Sequence, residues 1–599
     1  MRAKFLFCLP LLALVSTPAL ADPSPAATAA LAQRKADAAF DALVARFLAR
    51  TTHLSPAEAT VLGDHRHDDK LPDISATGRA ERVREWQGLL AELGRIQVSQ
   101  LSRANQVDRA LLVNELRYRI WADRGLQEWA WNPMIYNDAA AGSLYGLAAR
   151  DFAPWDVRLK SATARMEALP AFLKASRAQL VPARVPRVFA ETVARQNAGI
   201  VEVAEDMLLP HAGELKGEDR ARFDRALAGL KKAVGEQQVW LDKVLLPRAK
   251  GNFRLGAKLY DQKMQFGLMS DLSRAELKAR ALKAKAETRA EMYALSRQVL
   301  AGKIADLPMP DNPSPELQQT VIEQALALSY AKRPARADLE KRARETLAEA
   351  TEFVKAKGFI RMPDGPTRVI TMPKFQQGFA VAYNDPPGAL EKGQQNFYAV
   401  SPIPAEWSDK QAESFLSEYN DYMIHDLSIH EAMPGHYVQL DHSNRTDDVL
   451  RAYLGSGPFV EGWAVYAEGV MKDEGYLNGD PLFGLTVLKM RLRSITNTLL
   501  DIGIHTEGMS REAAMELMMK GAFQQEREAA GKWTRASLSS VQLLSYFTGY
   551  TEHMALREEA KLRWGKDYSL RRYNDTVLSF GSPPTKYARA LMFGEPIPQ

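Results

Sequence analysis

One short segment of the chain cannot continue as a regular helix, and it also carries residues that bind metals. Between His430 and His436 the sequence reads His-Glu-Ala-Met-Pro-Gly-His. An unbroken helix turns about 100° per residue, so it would place His436 roughly 240° around the helix axis from His430. Pro434 also lacks the backbone N–H that a continuing helix needs. We therefore predict that the helix opens around Pro434 and Gly435, in a bulge that returns His436 to the side of His430.

The residue types in this segment are those of a catalytic zinc site. Zinc hydrolases hold the metal with neutral imidazoles and place a glutamate beside the metal-bound water. The usual spacing is four residues between the two histidines, whereas here His436 follows His430 by six. We predict that both histidines bind Zn²⁺ and that Glu431 is the general base. His425 and His442 are alternatives to His436, although each also suits a surface or capping position.

A catalytic zinc site has three protein ligands and one open position, so a third ligand must come from another segment. Glu461 and Glu468 are seven residues apart, and a helix places such residues two turns apart on nearly the same face. In this arrangement Glu461 can bind the metal and Glu468 can support it. A carboxylate often holds a ligand imidazole in its metal-binding tautomer, and either Glu468 or Asp426 can do so here.

The beginning of the chain indicates export. Arg2 and Lys4 precede an apolar run over residues 5–15, and the small residues of 19–21 form a cleavage signal. We therefore predict that residues 1–21 are a signal peptide and that the protein works in the periplasm or outside the cell. The apolar run is too short to span a bilayer, and the rest of the chain contains no uncharged stretch of the required length, so we predict no membrane span.

Composition excludes two further classes of protein. The single cysteine, Cys8, lies within the predicted signal peptide, so the mature chain has neither disulfides nor a cysteine nucleophile. The 78 basic and 73 acidic residues are interspersed along the chain, which gives no support for nucleic-acid binding. The sequence contains no feature that indicates an oligomeric state.

The hydrophobic pattern predicts a mainly α fold with a small sheet. Residues 22–250 have helical periodicity almost throughout, as in the stripe Phe40, Leu43, Val44, Phe47 and Leu48. Residues 368–372 and 396–400 are predicted strands, and Ser408 opens a helix that continues towards His430. We predict one domain over residues 22–599, with a helical lobe over 22–310 and a metal-site lobe over 311–599.

Four motifs give the chain a resemblance to a known family. They are His430-Glu431-Ala432-x-Pro434-Gly435-His436, Phe459-x-Glu461-Gly462-Trp463-Ala464, Asp501-x-Gly503-x-His505-Thr506 and Tyr546-x-x-Gly549. In this combination the chain resembles the DUF885 family of predicted zinc-dependent proteins. The order of the motifs is also similar to that in thimet-type oligopeptidases, which are gluzincins with a ligand glutamate and a second glutamate seven residues after it.

The resemblance implies roles for individual residues. It favours Glu461 as the ligand and Glu468 as the supporting acid, and Gly462 would leave room for the helix of His430 to approach. It also implies that Tyr546, Tyr550 or His505 contacts the substrate.

These three residues have structural alternatives. A phenol or imidazole beside the metal can stabilise the oxyanion formed from a peptide carbonyl. Tyr546 and Tyr550 also suit a helical core, and His505 suits an ion pair with Asp501 one helical turn earlier. The sequence leaves open which of the three residues stabilises the oxyanion.

Together these features predict an exported zinc peptidase with one Zn²⁺ per chain and a peptide substrate. Zinc would lower the pKa of its water, while Glu431 would take a proton from that water and deliver it to the leaving amine. Two other functions fit the same residues. One is a non-catalytic helical binding or scaffold protein with a structural metal, in which a base beside an open position would have no use. The other is a zinc hydrolase of a non-peptide amide or ester.

Overall fold

The computed structural model describes residues 25–598 except 305, 366, 378–379, 392 and 447–448. The predicted signal peptide lies outside the described residues. Helices make up 74% of the chain, which confirms the predicted mainly α fold. Among the described residues, no helix combines the length and the apolar character needed to cross a bilayer.

The helices of the first part of the chain pack into more than one apolar core. Phe40, Leu43 and Phe47 of the predicted stripe are buried, and Val44 and Leu48 are half-buried, as expected for one face of a helix. The helices of this part are α1 (Pro25–Leu54), α2 (Pro56–Leu62), α3 (Ala76–Leu93), α4 (Arg103–Trp121), α5 (Glu128–Trp131), α6 (Met134–Ala149), α7 (Trp155–Gln179), α8 (Arg187–Gln196), α9 (Gly199–Val203), α10 (Gly217–Trp240), α11 (Leu246–Arg248) and α12 (Gly256–Leu268).

Three further helices precede the sheet in the chain. They are α13 (Arg274–Leu300), α14 (Pro315–Tyr330) and α15 (Leu339–Lys357). Helix α13 begins with a capping box in which Ser273 and Glu276 satisfy each other's backbone N–H groups. Helix α15 ends at Gly358, whose left-handed backbone stops the helix before the sheet.

The sheet has three strands in the order β1-β3-β2. β1 (Thr367–Thr371) runs parallel to β3 (Asn396–Val400), and β2 (Ala382–Asp385) runs antiparallel to β3 on its other side. The two predicted strands are confirmed, the first with its bounds one residue earlier. The third strand escaped prediction because β2 is short and half of it is Asn and Asp, which are depleted in strands.

The remaining helices carry the predicted motifs. They are α16 (Asp409–Glu418), α17 (Asp421–Glu431), α18 (His436–Arg445), α19 (Val449–Tyr453), α20 (Gly457–Asp473), α21 (Pro481–Thr506), α22 (Arg511–Ala522), α23 (Glu526–Leu538), α24 (Leu544–Trp564), α25 (Leu570–Leu578) and α26 (Thr585–Phe593). The predicted capping box at Ser408 is confirmed. The helix that it opens does not continue to His430, because Asn420 caps a new helix, α17.

Helix α17 occupies the centre of this part of the molecule. It packs against α15, α20 and α21 and against strand β2, and α20 packs along α24. The side chains between these elements include Trp463, Tyr398 and Tyr419, which are almost fully buried. The end of α17 is thus held on several sides, which fixes the position of His430.

Candidate metal centre

The predicted opening between His430 and His436 is confirmed, and it is a complete break. Helix α17 ends at Glu431 and α18 begins at His436, with a cis peptide bond before Pro434. The connecting backbone folds back on the last turn of α17, since the Met433 N–H donates to Ser428 O at 3.0 Å and the Gly435 N–H donates to Ile429 O at 2.9 Å. The expected bulge within one helix is therefore replaced by two separate helices.

Gly435 is required at this break because of close contact. A Cβ at this position would lie 2.0 Å from the carbonyl oxygen of His430 and 2.3 Å from that of Ile429. The absent side chain allows α18 to start directly against the end of α17.

The break brings the two imidazoles together with Glu461 of α20. The ring centroids of His430 and His436 are 4.8 Å apart. Glu461 Oε2 lies 3.7 Å from His430 Nε2 and 3.4 Å from His436 Nε2. Ligand atoms that share a tetrahedral zinc ion at its usual bond lengths are about 3.3 Å apart, so these distances suit such a site.

The hydrogen bonding and the charge of Glu461 also fit a metal site. Glu461 Oε2 is buried without a hydrogen-bond partner in the part of the chain that the structure describes. Burial opposes ionisation of Glu461, but contacts with His430 and His436 outweigh burial and lower its pKa. These three side chains form a group able to hold a metal ion. An ionised carboxylate and two imidazoles are a donor set that Zn²⁺ accepts.

Glu468 lies on the other side of His430. Its Oε1 is 2.6 Å from His430 Nδ1, and its side chain is almost fully buried. Burial alone would lower the pKa of His430, but Glu461 and Glu468 raise it well above the usual value. Of the two acids that the sequence left open, Glu468 makes this contact. Asp426 is also buried, one turn before His430, where burial raises its pKa and Glu468 raises it further.

Glu431 stands beside the cluster and faces a cleft of about 810 Å³. His430, His436 and Glu461 line the same cleft. Among the described residues, the carboxylate of Glu431 has no hydrogen-bond or ion-pair partner, although only 7% of the residue is exposed. Its carboxylate is therefore uncommitted and lies next to the candidate ligands.

Gln542 and Arg535 complete the surroundings of Glu461, and the sequence did not reveal either residue. Gln542 Nε2 donates to Glu461 Oε1 at 3.0 Å and is 3.3 Å from the hydroxyl of Tyr546. Arg535 donates to the same hydroxyl at 2.9 Å. Tyr546 also lines the cleft, and its ring centroid lies 6.3 Å from that of His430. The signal for Gln542 in the sequence was its position, four residues before the candidate site residue Tyr546.

The other candidate substrate contacts, Tyr550 and His505, are not among the residues that line the cleft. Tyr550 lies beneath the guanidinium of Arg491 at 5.1 Å. His505 Nε2 lies within 2.9 Å of the backbone oxygens of Ala536 and Ser539. The two contacts of His505 hold the end of α23 and the connection that carries Gln542.

His425 and His442, the two alternatives to His436 as a metal ligand, each contact another part of the chain. His425 Nδ1 is 2.9 Å from the hydroxyl of Tyr476, and His442 Nε2 is 3.1 Å from the backbone oxygen of Arg361. Neither histidine belongs to the group that can hold a metal.

Gly462 also has a different neighbour from the one expected. A Cβ on Gly462 would lie 2.2 Å from the backbone carbon of Gly549. It therefore makes room for α24 rather than for the helix of His430.

Comparisons with known proteins agree with the family resemblance. The family described as "Bacterial protein of unknown function (DUF885)" matches residues 56–592. A solved structure described as a "putative lipoprotein of unknown function" from Shewanella oneidensis is 34% identical, with 92% of this chain and 99% of that chain covered and a TM-score of 0.76. A "putative lipoprotein" from Colwellia psychrerythraea is 16% identical, with 94% and 99% covered and a TM-score of 0.69, which shows a shared fold. A comparison with curated proteins gives no match.

Proposed function

We propose that this chain, which belongs to the DUF885 family, is an exported zinc-dependent peptidase with Glu431 as its general base. The observation that carries the proposal is the grouping of His430, His436 and Glu461 on one side of an open cleft, with the uncommitted carboxylate of Glu431 beside them. A structural zinc site closes its coordination with protein ligands and has no use for such a base. The arrangement therefore favours catalysis over a scaffold role.

His430, His436 and Glu461 would hold the zinc ion. When bound, zinc polarises a carbonyl and lowers the pKa of water. Glu468 accepts a hydrogen bond from His430 Nδ1, which keeps the lone pair of Nε2 directed at the ligand cluster. Glu431 would take a proton from the attacking water and return it to the leaving amine.

Tyr546 is the candidate for stabilising the oxyanion. Its hydroxyl oxygen accepts N–H groups from Arg535 and Gln542, which leaves its own proton free to donate into the cleft. Burial raises the pKa of Tyr546, so the phenol keeps that proton at neutral pH. A fixed donor of this kind stabilises negative charge as it develops on a carbonyl oxygen.

Strand β2 supports a peptide as the substrate. It is an edge strand, and all four of its residues line the cleft. The Ser401 N–H donates to Val381 O, so alternation along the strand turns the backbone groups of Ala382 and Asn384 towards the free edge. An extended peptide can pair with such an edge, whereas a small ester or amide has no backbone to do so.

Export is supported independently of the site. A solved structure that is 34% identical to this chain is described as a "putative lipoprotein of unknown function", and the sequence itself begins with a predicted signal peptide. A peptidase in that location would meet peptides outside the cytoplasm.

The replacement Glu431→Gln tests the proposal directly. We expect the variant to retain zinc and to lose about 100-fold or more of its kcat, because the amide keeps the shape of the side chain but cannot accept the proton. Zinc content and cleavage of a mixed peptide library, followed by mass spectrometry, are measured on the same samples. Glu516→Gln on the exposed face of α22 is the matched control.

Three outcomes would contradict the proposal in different ways. Activity of Glu431→Gln within a few-fold of wild type would remove Glu431 as the base. Zinc-loaded wild type that cleaves no peptide would favour a scaffold role. Cleavage of esters or non-peptide amides alone would favour a hydrolase of that substrate class.

A further inference from the structure

A small second cavity adjoins both the metal centre and the open cleft. It has a volume of about 80 Å³ and lies between α17, α20, α21 and α23. Ala382, Glu431, Arg535 and Tyr546 line both this cavity and the cleft, so the two spaces meet beside the candidate base. We propose that this cavity binds a carboxylate group of the substrate, an inference that rests on the proposed peptidase function.

Three cationic side chains line the cavity. Arg493 comes from α21, and Lys532 and Arg535 come from α23, one turn apart. Arg493 and Lys532 have side-chain exposures of 13% and 4%. Cations are rarely buried to this degree without paired anions, so their concentration in one cavity indicates an anionic ligand.

The acids near Arg493 and Lys532 give these two cations a single shared carboxylate. Glu528 pairs with Arg493 and accepts a hydrogen bond from the Tyr419 hydroxyl at 2.8 Å. The same carboxylate is 4.0 Å from Lys532, and the described residues give Lys532 no other ion pair and no hydrogen bond. Glu418 is already paired with Lys489 at 2.9 Å. One carboxylate thus serves two buried cations.

Of the two cations that share Glu528, Lys532 is the more weakly paired, at 4.0 Å. Burial lowers its pKa well below the usual value, and the nearby Arg493 and Arg535 lower it further. A bound carboxylate would offset both effects, since it supplies the opposite charge and hydrogen-bond acceptors to the ammonium.

The acidic residues of the cavity come from other helices than its basic residues. Glu431 of α17 and Glu468 of α20 line the cavity beside His430, and Glu468 is hydrogen-bonded to that histidine. Arg493 of α21 and Lys532 of α23 line the same cavity. A substrate whose carbonyl is at the metal centre can direct a carboxylate towards Arg493 and Lys532.

The size of the cavity restricts the group that enters. A volume of about 80 Å³ holds only a few water molecules or a group as small as a carboxylate. Buried apolar residues such as Val465 form part of its wall. A substrate would therefore end here, either with the C-terminal carboxylate of a peptide or with an acidic side chain.

Two matched pairs of peptides distinguish these sources. The first pair has the same sequence and ends in a free carboxylate or an amide. The second pair has amidated ends and differs by Asp or Asn next to the scissile bond. Binding to zinc-loaded Glu431→Gln protein is measured by titration calorimetry, and kcat/KM is measured with the wild type.

We expect one acidic peptide to bind about 10- to 100-fold more tightly than its neutral partner, as expected for a hydrogen bond to a charged group. The preference should fall in Glu431→Gln protein that also carries Lys532→Met, which keeps the length of the side chain and removes its charge. Lys532→Gln is the second variant if the methionine form does not fold. Lys520→Met, on the exposed surface of α22, is the matched control and should retain the preference.

The outcomes separate this inference from the peptidase proposal. A preference in the first pair identifies the C-terminal carboxylate, and a preference in the second identifies an acidic side chain. Equal binding within both pairs, or a full preference that survives loss of the Lys532 charge, overturns the carboxylate site even if the wild type cleaves peptides. Selective binding without any cleavage by the wild type leaves the site in place and contradicts the peptidase.

Discussion

Glu461 and Glu468 lie on one helix but contact opposite sides of the candidate metal centre. Glu461 Oε2 lies 3.7 Å from His430 Nε2 and 3.4 Å from His436 Nε2. Glu468 contacts the other ring nitrogen of His430, Nδ1. We therefore expect Glu461→Ala to lose zinc much more severely than Glu468→Ala. Loss of a carboxylate that only supports a ligand typically costs about 10- to 100-fold in affinity.

A zinc competition titration with a chelating dye measures this difference. Circular dichroism of each variant checks that the helices remain. If Glu468→Ala releases the metal while Glu461→Ala binds it almost as tightly as wild type, the roles of the two acids are reversed.

At the level of residues, the sequence predicted the cluster better than its surroundings. His430, His436, Glu461 and Glu468 lie in local motifs whose spacing reflects metal chemistry, and the structure brings all four together. Arg535 escaped prediction because it belongs to no such motif and reaches the site only through the packing of α23.

Asp501 and His505 show the opposite error. One of the two alternatives for His505 was a helix-surface ion pair with Asp501, but both residues are buried. Asp501 accepts hydrogen bonds from the Tyr260 hydroxyl at 2.7 Å and the Val541 N–H at 3.0 Å, and so holds distant segments together. Helical spacing alone cannot distinguish an exposed face from one that another segment covers.

At the level of elements, the packing of α20 on α24 positions the candidate ligand Glu461. The two helices touch at Gly462 and Gly549, where a Cβ on Gly462 would lie 2.2 Å from backbone. We expect Gly462→Ala to force the helices apart, lower the free energy of unfolding by about 1–3 kcal/mol and weaken zinc binding, because Glu461 is the preceding residue.

Gly469→Ala on the same helix is the matched control. A Cβ there meets only Arg491 at 3.8 Å, an ordinary contact, and alanine favours the helix by up to about 1 kcal/mol. Denaturant unfolding and zinc titration of both variants measure the effect. Equal stability of the two variants would show that the glycine contact does not set the helix separation.

His553 makes the same helix pair sensitive to acid. It is fully buried on α24, and its Nε2–H donates to the backbone oxygen of Phe459 at 2.9 Å. Burial lowers its pKa from 6.5 to about 4. The unfolded chain therefore binds more protons in this range, so the stability that depends on neutral His553 is present above pH 6.5 and is lost as the pH falls towards about 4.

The variant His553→Gln isolates this contribution, because glutamine can donate to Phe459 but does not titrate. Between these two pH values, metal-free wild type should lose about 3 kcal/mol more unfolding free energy than the variant. Urea unfolding of both proteins at several pH values provides the measurement. Parallel pH profiles would place the acid sensitivity elsewhere.

The sequence identified most of these elements but not how they meet. Helical periodicity and the cap at Ser408 are local signals, and they were sufficient for the mainly α fold and for the start of α16. The break of that helix at Asn420 has a local cause, because the Asn420 side chain accepts a hydrogen bond from the Met423 N–H and caps α17. Strand β2 depends instead on its pairing with β3, a tertiary contact that the local pattern does not show.

At the level of the whole molecule, the cleft joins segments that are far apart in the chain. Arg150, at the end of α6, lies 2.9 Å from Asp385 Oδ1 and donates to the backbone oxygens of Asp385 and Pro386. The Tyr145 hydroxyl donates to Asp385 Oδ2 at 2.8 Å. The N-terminal helices therefore fasten the end of β2, the strand that we propose pairs with the substrate.

Removal of this fastening should affect substrate binding without affecting the metal. Arg150→Met keeps much of the apolar side chain but leaves Asp385 and two backbone oxygens without their guanidinium donor, so β2 becomes less ordered. We expect KM for peptides to rise about tenfold, since a hydrogen bond to a charged group contributes roughly 1.5–3 kcal/mol, while zinc affinity stays within a factor of about two. Arg187→Met removes an exposed pair with Glu191 and serves as the control. Loss of zinc together with substrate binding would mean that Arg150 supports the metal centre itself, whereas an unchanged KM would show that β2 does not depend on the N-terminal helices for its role in the cleft.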